Sequence, residues 1–275
     1  MTSLYRSFRA LNGPPRPPLP FGLVPSSTSD PLASSGSTRR PPKPVEIDSK
    51  ASRLRRMSKS VKTSARLHQV EANSNGHRSF LAMVTLTYAP DQDHDKRDIS
   101  RFLHCVRQWC RRRRVPFRYV WVMELHKSGR PHYHVLLWLP RGYHLPKPDK
   151  RGWWSKGSTR IEGARKPVGY LAKYASKLTS AAQDDAHAEF NALPKGARIH
   201  GAGGLSERSK CIRRWWLAPM WVRRLWHPTE DPRPAPGGGW LSRVLGTFRP
   251  SPWSVRFTNG RLFAHWVGWP EKNIH

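Results

Sequence analysis

One short stretch constrains the fold more than any other, residues 129–140, which read GRPHYHVLLWLP. His132 and His134 alternate around Tyr133 and lead directly into an apolar run with high strand propensity. Because successive side chains of a strand point to opposite faces, the two imidazoles share one face. Paired imidazoles of this kind can bind a metal ion, so the stretch predicts a β-strand with a candidate metal site.

The preceding segment, residues 117–126 (FRYVWVMELH), predicts a second strand, joined to the histidine strand by a short polar turn. If the turn is centred on its serine, Glu124 lies directly across from His132, with Cβ atoms ~4.5 to 5.5 Å apart. A turn shifted by one residue instead pairs Glu124 with His134 and brings His126 opposite His132. The third ligand is therefore expected to be Glu124, with His126 as the alternative.

A further strand and a helix are predicted before this hairpin. Residues 80–89, FLAMVTLTYA, are apolar and β-branched up to a proline, which favours a central strand. Asp98 is then expected to cap a helix whose apolar residues recur at helical spacing, namely Ile99, Phe102, Leu103, Val106 and Trp109. The helix runs into Arg111, Arg112 and Arg113, which are either a solvated helix end or a DNA contact.

Residues 167–178, PVGYLAKYASKL, predict a second helix with proline at its first position. At about 100° per residue, Tyr170, Tyr174 and Lys177 cluster on one side. The apolar residues cluster on the other side, namely Val168, Leu171, Ala172, Ala175 and Leu178. Tyrosine is a competent covalent nucleophile, and an adjacent ammonium can lower a phenol pKa or stabilise transition-state charge. A divalent ion beside it would act as a Lewis acid on a phosphodiester.

The charge balance indicates the class of substrate. The chain has 275 residues, with 49 Lys and Arg against 18 Asp and Glu, a formal charge of +31. Nucleic acid is the leading partner for such a chain, and an anionic membrane surface is the competitor. No apolar stretch approaches the roughly 20 residues that a spanning helix needs, so no membrane partner is expected. Three cysteines without CxxC spacing and no secretory signal suit the cytoplasm.

The flanks differ in composition from the central segment. Residues 1–76 predict a disordered, Pro- and Ser-rich basic tail. Within it, residues 50–66 hold seven basic residues and no acid, and either become helical on a phosphate backbone or stay a flexible arm. The catalytic segment is expected to span residues 77–182, in which residues 141–163 predict a loop.

Two further segments are predicted after the catalytic segment. Residues 183–235 form a basic, Trp-rich extension, in which Arg213, Arg214 and Trp215 are candidate contacts to single-stranded DNA. Packing of these tryptophans on the catalytic segment is the alternative. Residues 236–275 are expected to contain a β-hairpin, because Asn-Gly stands between alternating apolar positions. This hairpin either extends the main sheet or forms a small separate module.

The three motifs together resemble those of the HUH endonucleases. The strand FLAMVTLTYA, the segment PHYHVLLW and the helix YLAKYASK occur in the order and spacing of that superfamily. More narrowly, Tyr170, Tyr174 and Lys177 resemble the third motif of the two-tyrosine rolling-circle replication initiators of single-stranded DNA phages and plasmids. The resemblance covers about 100 residues. It is specific as a triplet, whereas a His-x-His pair alone is common.

The resemblance implies an α+β fold with a central antiparallel sheet of about five strands and packed helices. It implies that His132, His134 and Glu124 hold Mg²⁺ or Mn²⁺, and that the tyrosines nick and rejoin origin DNA through a 5′-phosphotyrosine, leaving a free 3′-hydroxyl. No Gly-x-x-x-x-Gly-Lys-Ser/Thr loop occurs, so a host helicase and a host DNA polymerase are expected partners in a bacterial cytoplasm. A transposase or mobilisation relaxase, and a non-catalytic basic protein that coats nucleic acid, remain alternatives.

Overall fold

The computed structural model describes residues 42–74, 79–125, 130–164, 169–171 and 198–269. Its helices include α1 (Ser49–Ser74), α2 (Asp98–Arg112), α3 (Glu207–Leu217) and α4 (Met220–Leu225). Its strands are β1 (Val45–Glu46), β2 (Ser79–Thr87), β3 (Tyr119–Leu125), β4 (Pro131–Pro140), β5 (Thr159–Gly163), β6 (His200–Gly203), β7 (Pro232–Pro234), β8 (Trp240–Ser242), β9 (Phe248–Arg249), β10 (Trp253–Thr258) and β11 (Arg261–Trp266).

The centre of the molecule is a five-stranded antiparallel sheet in the order β5-β2-β4-β3-β6, with helices packed on it. The α+β prediction is therefore confirmed. The three strands predicted from apolar runs are β2, β3 and β4, the inner strands of the sheet. Their side chains are buried on both faces, which is why the sequence shows nearly continuous apolar runs there.

The two edge strands lie where the sequence analysis expected other structure. Strand β5, TRIEG, lies within the predicted loop 141–163, and its charged residues are exposed as is common at a sheet edge. Strand β6, HGAG, follows the predicted catalytic segment 77–182, so the sheet extends past that boundary. Neither strand has an apolar run long enough to indicate a strand by itself.

Helix α2 forms the predicted packing layer on one face of the sheet. All five residues of its predicted apolar stripe are buried, and the most exposed of them, Leu103, keeps only 7% of its surface in contact with solvent. Asp98 is the first helical residue and not the predicted cap. Its carboxylate instead accepts hydrogen bonds from the Tyr88 hydroxyl and from the backbone N–H of Asp95, at 2.9 and 3.1 Å.

Helix α1 corrects the predicted disordered tail 1–76. The helix covers 26 residues, and Leu54, Met57, Val61 and Ala65 lie in the main hydrophobic core. These residues recur at helical spacing, but serines and basic residues separate them and make the segment read as a solvated arm. The burial of this stripe against the sheet stabilises the helix, as tertiary packing does for most helices.

The C-terminal region contains the predicted hairpin, formed by β10 and β11. Asn259 and Gly260 both have positive φ, 50° and 74°, as a two-residue type I′ turn requires. Strand β1 adds to β11, so this three-stranded sheet is separate from the central one. A third small sheet, β7-β8-β9, precedes it, and β1 links the predicted tail to the C-terminal segment.

Candidate active site

The histidine strand β4 lies between β2 and β3, and its register fixes the neighbours of both imidazoles. Glu124 pairs with His132 across β3 and β4, which confirms the first of the two predicted registers. The alternative register, with Glu124 opposite His134, is wrong. On the other side, Thr87 pairs with His132 and Thr85 with His134. His126 lies outside the described residues.

Each imidazole has a hydroxyl partner on β2. The Nδ1 atom of His134 lies 3.3 Å from Thr85 Oγ1, and the Nδ1 atom of His132 lies 3.2 Å from Thr87 Oγ1. Histidines that bind metals commonly use one ring nitrogen as ligand while the other makes a hydrogen bond that fixes the ring. The sequence analysis missed these threonines, although their alternation in VTLT matches that of the histidines.

The carboxylate of Glu124 is part of the same group. Its Oε2 lies 2.9 Å from Nε2 of His134, and both side chains are largely buried. Since Nδ1 of His134 faces Thr85, both nitrogens of this ring have polar partners. His132 is the more exposed of the two imidazoles and lies two residues along the same face. The strand register thus brings the three predicted ligands to one face of the sheet.

The chemistry of this donor set suits a divalent ion. Two imidazole nitrogens and a carboxylate oxygen can bind first-row divalent ions such as Mn²⁺, and the carboxylate can also bind Mg²⁺. In the part of the chain that the structure describes, no three His, Cys, Asp or Glu side chains are already grouped as a metal site. Glu124 and His134 are in contact, and His132 would have to join them.

The predicted tyrosine helix is described only at residues 169–171, which are helical. Leu171 is fully buried in the core of the central sheet, whereas Tyr170 is 42% exposed. These two residues agree with the predicted division between an apolar and a tyrosine side. Tyr174 and Lys177 lie outside the described residues.

Tyr133, between the two histidines, points to the opposite face of the sheet. It is 1% exposed, its hydroxyl lies 2.7 Å from Nε2 of His94, and burial raises its pKa above the usual range. Burial also raises the pKa of Tyr88, whose hydroxyl donates to Asp98. Both phenols are therefore poor nucleophiles, which leaves Tyr170 as the exposed tyrosine near the histidine motif in sequence.

The candidate DNA contacts have different surroundings. Arg111, Arg112 and Arg113 are exposed at the end of α2, where the Arg113 guanidinium lies 4.6 Å from the Trp109 ring centre. In α3, Arg214 forms a salt bridge to Asp231, and Trp215 is only 8% exposed, with its indole N–H bonded to the Trp226 carbonyl. The latter two therefore pack within the protein, which was the alternative interpretation of this segment.

Comparisons with known proteins follow the same segment of the chain. No helix in the described parts of the chain is long and apolar enough to cross a membrane. The comparisons with curated proteins and with solved structures gave no match. Residues 81–179 match the model of one family, described as replication-associated protein ORF2. This range contains the histidine strand and the tyrosine segment, so the part of the chain with the candidate site is similar to replication-associated proteins.

Proposed function

We propose that this protein initiates rolling-circle replication by nicking and rejoining single-stranded DNA at an origin, as an HUH endonuclease of the two-tyrosine class. The observation that carries the proposal is the arrangement on one sheet face of His132, His134 and Glu124. The similarity of residues 81–179 to replication-associated proteins supports a role in replication initiation. The net charge of +31 suits a DNA substrate.

The proposed reaction is a transfer of a phosphodiester to tyrosine. The phenolic oxygen of Tyr170 or Tyr174 attacks phosphorus and loses its proton, the bond from phosphorus to the 3′ oxygen breaks, and that oxygen gains a proton. The products are a 5′-phosphotyrosine and a free 3′-hydroxyl, which can prime synthesis. Attack by a 3′-hydroxyl on the phosphotyrosine reverses the step and reseals the strand.

The site residues have distinct roles in this step. His132, His134 and Glu124 would hold Mg²⁺ or Mn²⁺, and the ion would polarise the phosphate and stabilise the charge of the transition state. Thr85 and Thr87 orient the imidazoles from β2. Lys177 is proposed to act on the charge at the tyrosines from one turn beyond Tyr174.

Covalent capture of DNA tests the proposal directly. Labelled single-stranded DNA from around the gene is incubated with the protein and Mn²⁺ or EDTA, and the covalent complex is measured on a denaturing gel. We expect capture with the metal only, with loss in at least one direction for Tyr170→Phe or Tyr174→Phe. Tyr143→Phe is the matched control, because Tyr143 is similarly exposed at 37% but lies in the loop after β4.

Two outcomes would contradict the proposal. Undiminished capture by the double Tyr170→Phe, Tyr174→Phe variant excludes these nucleophiles. Binding that is indifferent to EDTA, with no cleavage of any strand, identifies instead a non-catalytic nucleic-acid-binding protein in which the histidines are structural. If capture occurs but the gene lies between transposon ends or beside a transfer origin, the same chemistry belongs to a transposase or relaxase.

A further inference from the structure

A row of residues across the central sheet connects the histidine strand to β6. His134 pairs with Val122, and Val122 pairs in turn with His200, so His200 projects from the same face as His134. Neighbouring strands lie about 4.8 Å apart, which places His200 about 10 Å from His134. A DNA strand bound at the candidate ion site can therefore extend to His200.

Helix α1 presents a polar stripe beside this row. Arg53, Ser60 and Ser64 are spaced by seven and four residues and so lie on one side of the helix, which packs against β3 and β6. Arg213 of α3 reaches this stripe, with its Nε donating to Ser64 Oγ at 2.7 Å and its Nη2 donating to Ser60 Oγ at 2.6 Å. The Nη2 end of the guanidinium is thus the end nearer Arg53.

Arg213 has no acidic partner among the residues that the structure describes, although its side chain is half-buried. Its neighbour Arg214 differs, because Asp231 accepts hydrogen bonds from its Nε and Nη2 at 2.9 and 2.6 Å. Burial lowers the pKa of Arg213, and the Arg214 charge lowers it further. A half-buried cation without an anion is unfavourable, and a bound anion would offset this.

The positive charges extend to His200. Burial lowers the pKa of His200 to about 4, and the charges of Arg213 and Arg53 add to the effect. His200 is therefore neutral at neutral pH and can donate one ring N–H without adding charge. Arg53 is exposed, so the stripe on α1 opens to solvent at this end.

We propose that Arg213, His200 and Arg53 form a phosphate-binding subsite for the DNA strand on the histidine face of the sheet. The inference rests on the proposed function, because it assigns a place on the protein to one phosphate of the DNA substrate. Ser60 and Ser64 hold two donors of the Arg213 guanidinium, and its other donors remain for phosphate oxygens. The subsite positions the strand and takes no part in the chemical step.

The test compares Arg213→Gln with the control Arg214→Gln, which removes a charge from the adjacent residue of the same helix. Binding of an oligodeoxythymidine of about 20 nucleotides is measured by fluorescence anisotropy in EDTA over a series of salt concentrations. We expect Arg213→Gln to weaken binding about tenfold and to reduce the slope of log K against log salt by about 0.7, the value for one phosphate on a single strand. Arg214→Gln should keep the wild-type slope.

A second measurement uses inorganic phosphate as the probe. At constant ionic strength, phosphate should raise the Tm of the wild-type protein and of Arg214→Gln but not that of Arg213→Gln. If Arg213→Gln does not fold, judged by circular dichroism, His200→Gln takes its place in both measurements. An unchanged salt slope and equal stabilisation by phosphate in the folded variant would overturn the subsite.

The two proposals can fail separately. Binding in EDTA does not involve cleavage, so loss of the slope in Arg213→Gln without any covalent capture by wild type supports the subsite and refutes the nuclease. Covalent capture by wild type, with an unchanged slope in Arg213→Gln, supports the nuclease and refutes the subsite.

Discussion

His68 should make the protein sensitive to acid. It lies on α1, is fully buried, and stacks on Trp138 with ring centres 4.7 Å apart. Among the residues that the structure describes, neither ring nitrogen has a hydrogen-bond partner. Burial therefore lowers the pKa of His68 from 6.5 to about 3, because the charged form is poorly solvated there.

The sign and size of the effect follow from proton linkage. The folded-state pKa is below the unfolded one, so the unfolded chain binds a proton first as the pH falls below about 6.5. Stability is lost from there until the pH reaches about 3, where the folded protein also binds the proton. At about 1.36 kcal/mol per pKa unit, His68 should lower the free energy of unfolding by about 2 kcal/mol between pH 7 and pH 5.

The variant His68→Phe keeps an aromatic ring against Trp138 and removes the titration. We expect its free energy of unfolding, from urea titrations followed by tryptophan fluorescence, to fall by about 2 kcal/mol less than that of wild type between pH 7 and pH 5. Some acid sensitivity should remain, because burial also lowers the pKa of His200. The control is His104→Phe, which changes an exposed histidine on α2. Equal losses in wild type and His68→Phe would refute the reasoning.

Two other predictions follow from the central sheet. Thr85→Val removes the hydroxyl partner of His134 at nearly constant volume, so calorimetric titration with Mn²⁺ should show affinity weakened by about tenfold or more; an unchanged affinity would exclude a positioning role. Gly201→Ala would place a Cβ atom 2.5 Å from Nε1 of Trp121, so thermal melting should show a loss of about 1 to 3 kcal/mol, and a variant as stable as wild type would contradict this packing.

The inner sheet could be predicted because it is buried on both faces. Strands β2, β3 and β4 have long apolar runs, and the short turn fixes the register that places Glu124 opposite His132. The histidine face followed from the alternation of side chains along a strand. Its threonine partners could not be assigned in advance, since their pairing depends on the register of β2, which no short turn connects to β4.

The edge strands and α1 could not be predicted because their sequences resemble other structures. Strand β6 contains Gly201 and Gly203, which have low strand propensity, yet glycine is needed where the rings of Trp121 and Tyr119 lie against the backbone. In α1, small residues such as Ala65 complete the buried stripe, so its helical period is weak in hydrophobicity. In both cases tertiary contacts determine the structure more than local preference does.

The pairing of β1 with β11 has a consequence for the order of folding during synthesis. Val45 lies opposite Ala264, so the two strands are more than 200 residues apart along the chain. The five strands of the central sheet lie between them and are complete once His200–Gly203 has been made. The ribosome releases the central sheet before β11 exists, and β1 must wait without its partner. The catalytic sheet can therefore fold first, and the small sheet closes the chain only at the end of translation.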